Sequence, residues 1–126
     1  MQFNLSLDKW REKYEDSFLD FVKKLSLEIL RRVMSKTPVD TGRAQSNWRA
    51  TVNEAPVADG GHMSTNPGAA FSKASEVIVR ADRIETVFIF NSVPYILELE
   101  NGKSRQAPRG MLSLSLQEVE GFVNEL

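Results

Sequence analysis

The residues whose types and spacing could best form a site lie at positions 37 to 48, where the sequence reads TPVDTGRAQSNW. Pro38 disfavours a helix at the residue before it, and Gly42 can adopt a positive φ that other residues resist. Asp40 can accept hydrogen bonds from backbone N–H groups of such a turn. Arg43 presents a planar set of donors that suits a carboxylate. These properties favour a rigid elbow over an active site, and each residue could equally serve only its own fold.

The arginine of the elbow needs an acidic partner, and the second half of the chain has an excess of acid. Residues 21–49 hold seven basic and two acidic side chains, whereas residues 50–102 hold three basic and seven acidic ones. We therefore expect Arg43 to form an ion pair with Glu98 or Glu100, within one chain or between subunits. A basic and an acidic segment can also fix the register of identical neighbours in a ring. The alternative is a helix face that is merely solvated by lysine and arginine.

No catalytic or metal-binding pattern is found in the sequence. The single histidine, His62, lies in a glycine-rich loop, where a solvated side chain is a better interpretation than a catalytic base. The chain has no cysteine, which excludes a thiolate nucleophile and cysteine-ligated metal sites. No hydroxyl residue has a neighbouring base in the sequence, and no spacing matches a metal site. We expect no enzymatic activity, no cofactor and no metal.

The length, composition and charge of the chain indicate one ordinary globular domain. A length of 126 residues suits one compact domain, and 41% hydrophobic with 26% charged residues is far from the composition of a disordered chain. The 16 basic and 17 acidic residues create no overall basic field for nucleic acid or anionic lipid. No apolar run of about 18 residues predicts a membrane span, and the N-terminus lacks the pattern of a signal peptide. We therefore expect a soluble protein without membrane association.

The strongest periodicity runs from residue 6 to residue 36 and predicts a long amphipathic helix. Ser6 is the predicted N-cap, Leu5 and Trp10 form the predicted hydrophobic staple, and Pro38 ends the helix. At about 1.5 Å per residue such a helix is roughly 44 Å long, more than the roughly 36 Å diameter of a domain of this size. The apolar stripe consists of Trp10, Tyr14, Phe18, Phe21, Val22, Leu25, Ile29 and Val33.

A second apolar strip lies beside the first on the same predicted helix. Its members are Leu19, Leu27, Leu30 and Met34. Because a small domain covers one face of a long helix more easily than two, we expect this strip to contact a second subunit. The alternative is a kinked helix that its own sheet buries on both sides.

The remaining patterns predict an α+β fold, with a long N-terminal helix and a C-terminal helix packed on a small antiparallel sheet. Short strands are predicted at residues 48–52 and 85–91. Helices are predicted at residues 70–81, 95–102 and 111–126, the last against a competing strand pattern. Residues 54–68 form a loop that we expect to be mobile and to become ordered against a partner.

Three stretches together resemble the tail-completion, or head–tail connector, proteins of long-tailed bacteriophages and prophages. The first is the elbow, the second reads FNSVPYILELENG at 90–102, and the third reads QAPRGMLSLSLQE at 106–118. They follow the order of that family and cover about a third of the chain. Asn101 departs from the family's pattern, which favours an aromatic residue there.

The resemblance singles out residues within these stretches. Those that match the family's motifs are Thr37, Pro38, Asp40, Thr41, Gly42, Arg43, Asn47, Trp48, Asn91, Pro94, Tyr95, Leu99, Glu100, Gly102, Gln106, Ala107, Pro108, Gly110 and Met111. With Glu98 added as a partner of Arg43, the elbow and interface candidates are Asp40, Gly42, Arg43, Trp48, Asn91, Pro94, Tyr95, Glu98, Glu100, Gln106, Pro108 and Gly110. We expect the two large aromatic residues of this set to anchor the fold where the motif loops meet the sheet.

The resemblance implies a structural role in the virion, with assembly in the host cytoplasm. Subunits of such proteins form a ring, expected to be sixfold, that completes the tail end and joins it to the DNA-filled head. The implied partners are further copies of the chain, the tail tube or terminator protein, and the head connector or adaptor protein. Genome DNA would pass through the lumen without sequence-specific binding. Two alternatives stay open: a tail terminator that caps the tube, and a small nucleic-acid-binding protein that uses the basic segment 21–49.

Overall fold

A computed structural model describes residues 1–6, 18–102, 107 and 109–124 of the chain. The strands are β1 (Gln2–Ser6), β2 (Arg49–Val52) and β3 (Thr86–Phe90). The helices are α1 (Phe18–Lys36), α2 (Pro67–Val79), α3 (Ile96–Glu100) and α4 (Leu112–Asn124), and a short 3₁₀ helix spans Gln45–Asn47. The predicted α+β class is confirmed.

β3 is the central strand of a three-stranded antiparallel sheet, with β1 on one side and β2 on the other. Its β-branched and aromatic residues suit a pleated surface that is buried on one face. Val87 and Ile89, which are two residues apart and therefore share a face, are both buried in the core. The strands predicted at 48–52 and 85–91 are thus confirmed.

The sequence pattern does not predict β1, and the structure corrects the predicted start of the long helix. Ser6, the predicted N-cap, is the last residue of β1 and pairs with Thr86 of β3. The strand forms there because β3 has backbone N–H and C=O groups on both edges, and buried groups of this kind need partners. Leu5, assigned to the staple, also lies in β1. Trp10 and Tyr14 fall outside the described residues.

α1 is amphipathic with a buried stripe, as predicted for this part of the helix. Its buried residues are Phe18, Val22, Leu25, Ser26, Ile29, Leu30, Val33 and Met34, whereas Phe21 is only partly buried. Thr37 follows Lys36, the last residue of α1, and donates to two carbonyl groups at the end of this helix. Its N–H donates to Met34 O at 3.2 Å, and its Oγ1 donates to Val33 O at 2.6 Å. Pro38 comes next and cannot continue the ladder, so the helix ends where predicted.

The second apolar strip of α1 packs inside its own chain. Leu30 is 0% exposed and Met34 is 6% exposed, and both belong to the hydrophobic core. Leu19 and Leu27 are partly buried against the same core. The prediction that this strip requires a second subunit is therefore wrong for Leu30 and Met34. The reason is that α1 contacts two other helices, α2 and α4, so two of its faces are covered within the chain.

The helix that lies directly on the sheet is α2, which packs on β2, while α1 packs on α2 and α4. Helices and sheet nevertheless share one hydrophobic core. Its largest fully buried side chains include Trp48, Ile29, Leu30, Ile78, Ile89 and Met111. The elbow contributes Trp48 to this core, so its geometry is coupled to the packing of the whole domain.

α2 begins earlier than the periodicity predicts, because its first turn carries capping residues and few apolar ones. The side chain of Asn66 accepts a hydrogen bond from Ala69 N at 3.1 Å, and Pro67 occupies the first turn of the helix. The loop predicted over 54–68 therefore ends at Asn66. Its mobility stays a prediction.

The C-terminal segment is helical, as predicted against the competing strand pattern. Arg32 and Lys36 of α1 both donate to Glu118 Oε1 of α4, at 3.0 and 2.6 Å. These contacts place α4 along the second half of α1. α3 is the short helix predicted before Gly102, whose φ is 83°. Among the described helices, none is both long enough and apolar enough to cross a membrane.

Candidate functional site at the elbow

The elbow turns through Gly42, whose φ of 87° lies in the left-handed region that favours glycine. A Cβ at this position would lie 3.3 Å from the carbonyl oxygen of Thr65, so the glycine also permits a close approach of two backbones. Arg43 N–H donates to Thr41 Oγ1 at 3.2 Å. The acceptor within the turn is thus the hydroxyl of Thr41. The prediction that Asp40 fills this role is wrong, because its side chain points into solvent.

Trp48 leaves the elbow and enters the core. Its side chain is 0% exposed, and its Nε1–H donates to Thr37 Oγ1 at 2.7 Å. Thr37 Oγ1 in turn donates to Val33 O at 2.6 Å. The indole therefore ties the residue just before β2 to the end of α1 by a buried chain of hydrogen bonds. Trp48 therefore lies in the core, as expected; its contribution to stability stays a prediction.

Asn47 joins the elbow to the loop before α2. Its Nδ2 donates to Arg43 O at 2.7 Å and to His62 O at 3.0 Å, and its Oδ1 accepts from His62 N at 2.8 Å. Asn47 is 0% exposed, so its own end of each bond is shielded from water, while the bonds as a whole are part-buried. Gly61 passes close by, since a Cβ there would lie 2.8 Å from Asn47 Oδ1. The amide thus sets the path of the loop.

Asn91 joins the elbow to the segment that follows β3. Its Nδ2 donates to Ala44 O at 2.8 Å, and its Oδ1 accepts from Val93 N at 3.2 Å. Its backbone N–H donates to Met1 O at 3.0 Å. The residue is 0% exposed, and both side-chain partners belong to buried residues. Asn47 and Asn91 therefore hold three segments that are distant in sequence at one junction, which we call the elbow junction.

Arg43 points away from the acidic residues that were its predicted partners. Its Nε donates to His62 O at 3.1 Å, and its guanidinium lies 5.9 Å from the centre of the Tyr95 ring. Neither Glu98 nor Glu100 is within ion-pair distance in the described chain. The predicted pair within one chain is therefore wrong, because the turn directs the guanidinium to the loop and to an aromatic face. A pair between subunits stays a prediction.

Glu100 caps the start of α4. Its carboxylate accepts from the backbone N–H groups of Met111, Leu112 and Ser113 at 3.0, 2.8 and 3.1 Å, and from Ser113 Oγ at 2.8 Å. Burial raises the pKa of Glu100, but the hydrogen bonds from Leu112, Ser113 and Met111 together outweigh it and leave the pKa below its ordinary value. The negative charge also faces the positive end of the helix dipole. This role explains why Glu100 is unavailable to Arg43.

Gly110 makes this cap possible. Its φ is 81°, and a Cβ there would lie 2.5 Å from Glu100 O and 2.7 Å from Glu100 Oε2. Ala107 is buried beside it. Gln106 and Pro108 fall outside the described residues, so their role as interface candidates stays a prediction.

The other candidates lie at the surface of α3 and of the turn before it. Pro94 and Glu98 are exposed, and Tyr95 is half-buried. Tyr95 packs against the core with part of its ring, so it anchors the fold less completely than Trp48 does. A role for this surface in subunit contact stays a prediction.

The loop before α2 has an anchor that the sequence did not indicate. Arg49 of β2 donates to both carboxylate oxygens of Asp59, at 2.8 and 2.7 Å, and lies 4.8 Å from the centre of the Phe90 ring. Gly61 N–H donates to the same carboxylate at 2.9 Å. The bonds from Arg49 and then from Gly61 lower the pKa of Asp59 well below its ordinary value. No local signal pairs residues ten apart in a loop, so sequence reasoning had no means of finding this contact.

The basic segment 21–49 does not present an open positive surface. Arg31 and Arg32 both bind Glu28, and the hydrogen bond from Arg31, followed by that from Arg32, lowers its pKa to about 2. Arg32 and Lys36 bind Glu118, as described above, and Arg49 binds Asp59. Six of the seven basic residues are thus bound, four by carboxylates and two, Lys23 and Arg43, by the carbonyl groups of Val79 and His62. This distribution weakens the nucleic-acid alternative, which needs cations free to contact phosphates.

The amides of Asn47 and Asn91 and the indole of Trp48 are engaged in internal hydrogen bonds, whereas Ser46 Oγ is buried without one in the described chain. His62 is exposed and contributes its backbone. Within the described residues, no group of three histidine or acidic side chains could hold a metal ion. No model of a known protein family matches the chain, and neither a curated protein nor a solved structure matches it.

Proposed function

We propose that this protein is a structural component of a phage tail whose subunits form a ring, complete the tail end and join it to the head. The observation that carries the proposal is the elbow junction. Trp48, Asn47 and Asn91, which the resemblance singles out, are 0% exposed and make hydrogen bonds at the junction or beside it. A closed ring needs subunits of one fixed shape, because the same contact must repeat between every pair of neighbours, and these bonds fix the shape of the subunit.

The reactive side chains of the motifs support a role without catalysis. Arg43 is bonded to a carbonyl group, and Glu100 is bonded to three backbone N–H groups. A catalytic acid, base or nucleophile must instead be free to exchange protons or attack a substrate. The proposal therefore includes no reaction and no cofactor.

The proposed assembly is a homo-oligomeric ring, expected to be a hexamer, in the neck of the virion. Its neighbours along the tail axis are the tail tube or terminator protein on one side and the head connector or adaptor protein on the other. Genome DNA passes through the lumen without sequence-specific binding. A tail terminator differs only in the position that the ring occupies.

Electron microscopy of the purified protein and of the particle that contains it tests the proposal. We expect closed rings of uniform diameter, and density for this fold between the tail tube and the head connector. Density that caps a tail lacking a head would assign the terminator role instead. DNA affinity that falls steeply with salt, without any ring, would contradict the proposal and support the nucleic-acid alternative.

A further inference from the structure

β2 lies at the edge of the sheet, with β3 on one side only. In an antiparallel ladder, residue pairs that exchange hydrogen bonds alternate with pairs that do not. The bond from Asn53 N to Thr86 O, 2.8 Å long, fixes which pairs are bonded. Thr51 therefore bonds to β3, whereas the N–H and C=O groups of Ala50 and Val52 point to the free edge. Two residues of β2 are thus in position to bind another strand.

A groove of about 270 Å³ runs along this free edge, between β2 and α2. Residues 48–51 line it from the strand side, and Ala70, Lys73, Ala74 and Val77 line it from the helix side. Val77 is 39% exposed although it lies beside the core. An extended chain placed against β2 would cover this apolar wall while it pairs with the strand.

The wall of the groove contains polar groups without partners among the described residues. Ala50 is only 8% exposed, and no described residue bonds its outward N–H or C=O group. Ser46 Oγ and Arg49 Nε are also buried in this wall without a hydrogen bond. Such groups are uncommon in folded chains, because burial without a partner is costly. Ser46 Oγ and Arg49 Nε are too deeply buried for a docked chain to reach, so the outward groups of Ala50 and Val52 are the ones with which an added strand could pair.

The charges of the groove restrict what can bind it. Arg49 and Lys73 line it together with His62, and no carboxylate does among the described lining residues. A second β2 edge would bring a second set of these basic side chains, and like charges opposite each other are unfavourable. Arg49 is already paired with Asp59, so among the described lining residues Lys73 is the cation left to attract an acidic side chain on an extended segment.

The chain itself has a segment with these properties at residues 54–58. Glu54 is exposed, and Val57 is 78% exposed although it is apolar. The backbone groups of residues 55–58 make no hydrogen bond to the described chain. Pro56 has no N–H, so the segment can pair only with Pro56 facing away from β2, through Ala55 and Val57. Five residues span roughly 16 Å when extended, enough to lie along all four residues of β2.

We propose that the groove along β2 binds residues 54–58 of a second copy of this chain as an added strand. Ala55 and Val57, which alternate along the segment, then lie on the face of α2, and the carboxylate of Glu54 approaches Lys73. The contact joins two different surfaces, so it is head-to-tail and can close a ring. This contact joins neighbouring subunits of the proposed ring. The inference rests on the proposed function for the number of copies in that ring.

Disulfide trapping tests the contact, since the natural chain has no cysteine. A Val57→Cys chain and a Val77→Cys chain are mixed at high concentration and oxidised gently. We expect disulfide-linked heterodimers at a yield about tenfold above that of a control mixture with Val79→Cys. Val79 is 54% exposed on the same helix but does not line the groove. All three positions are exposed, so the variants should melt like the natural chain.

Equal yields in the two mixtures, or no heterodimer in either, would overturn the proposal. A dominant link between two Val77→Cys chains would also overturn it, because that product requires two β2 edges to meet. Glu54→Lys in the Val57→Cys chain should lower the yield several-fold at low salt, and an unchanged yield would contradict the role of charge. Rings seen by microscopy without the trapped pair would overturn this contact alone. A trapped pair without rings would overturn the proposed function and leave the contact.

Discussion

The side chain of Asn91 should be among the most costly polar groups to remove from this protein. Replacement by alanine removes the bond to Ala44 O at 2.8 Å and the bond from Val93 N at 3.2 Å. Ala44 and Val93 are both buried, so water cannot readily replace the lost partner. Each backbone group left unpaired costs about 1–3 kcal/mol, which gives a loss of about 2–6 kcal/mol for Asn91→Ala.

Urea unfolding followed by tryptophan fluorescence measures this loss, because Trp48 is buried beside the junction. With a slope of about 2 kcal/mol per M, the midpoint should fall by about 1–3 M. Asn101→Ala is the matched control, since Asn101 is exposed and its side chain makes no hydrogen bond in the described chain. Its effect should stay within about 0.5 kcal/mol. If Asn91→Ala lowers the free energy of unfolding no more than Asn101→Ala does, the elbow junction is not held by this amide.

Three further predictions concern other contacts of the domain. Trp48→Ala should lower the free energy of unfolding by about 3–5 kcal/mol; a variant that melts like the natural chain but fails to assemble would instead make Trp48 an interface residue. Gly110→Ala should destabilise by about 1–3 kcal/mol in thermal melts, because its φ is positive and its Cβ meets Glu100. Gly121→Ala places a Cβ in open space on α4 and should stabilise the protein by roughly 0.5–1 kcal/mol. If Gly110→Ala and Gly121→Ala change the stability equally, the strain assigned to position 110 is contradicted. The pKa of Glu28 is lowered from 4.5 to about 2, so its contribution to stability is present above pH 4.5 and is lost as the pH falls towards 2. Urea midpoints for Glu28→Gln should therefore lie below those of the natural chain at neutral pH and converge with them in acid, and a constant difference would contradict this linkage.

Much of the secondary structure follows from local patterns. The stripe of α1 repeats at three and four residues, and a helix is the conformation that places such residues on one face. β3 is rich in β-branched and aromatic residues, and the turn at Gly42 has the residue that a positive φ favours. Trp48 was correctly expected in the core, because an indole has more apolar area than any other side chain.

β1 shows where this reasoning fails. Residues 2–6 are polar and apolar in alternation, but their position next to a helical pattern favoured an N-cap at Ser6. The strand forms because the edge of β3, more than eighty residues away, needs partners for its N–H and C=O groups. A window of neighbouring residues contains no information about that edge.

In the candidate site, too, the local sequence determined the turn, whereas the tertiary structure determined the partners of the side chains. The sequence by itself determined that residues 37–48 form an elbow, because proline, glycine and short polar side chains act through the local backbone. Only the tertiary structure decided that Arg43 donates to His62 O and that Glu100 caps α4. Charge makes the two side chains attractive to each other at any separation, but a hydrogen bond forms only where the backbone places donor and acceptor about 3 Å apart. That placement depends on how the helices and the sheet pack together, which no single segment of the chain specifies.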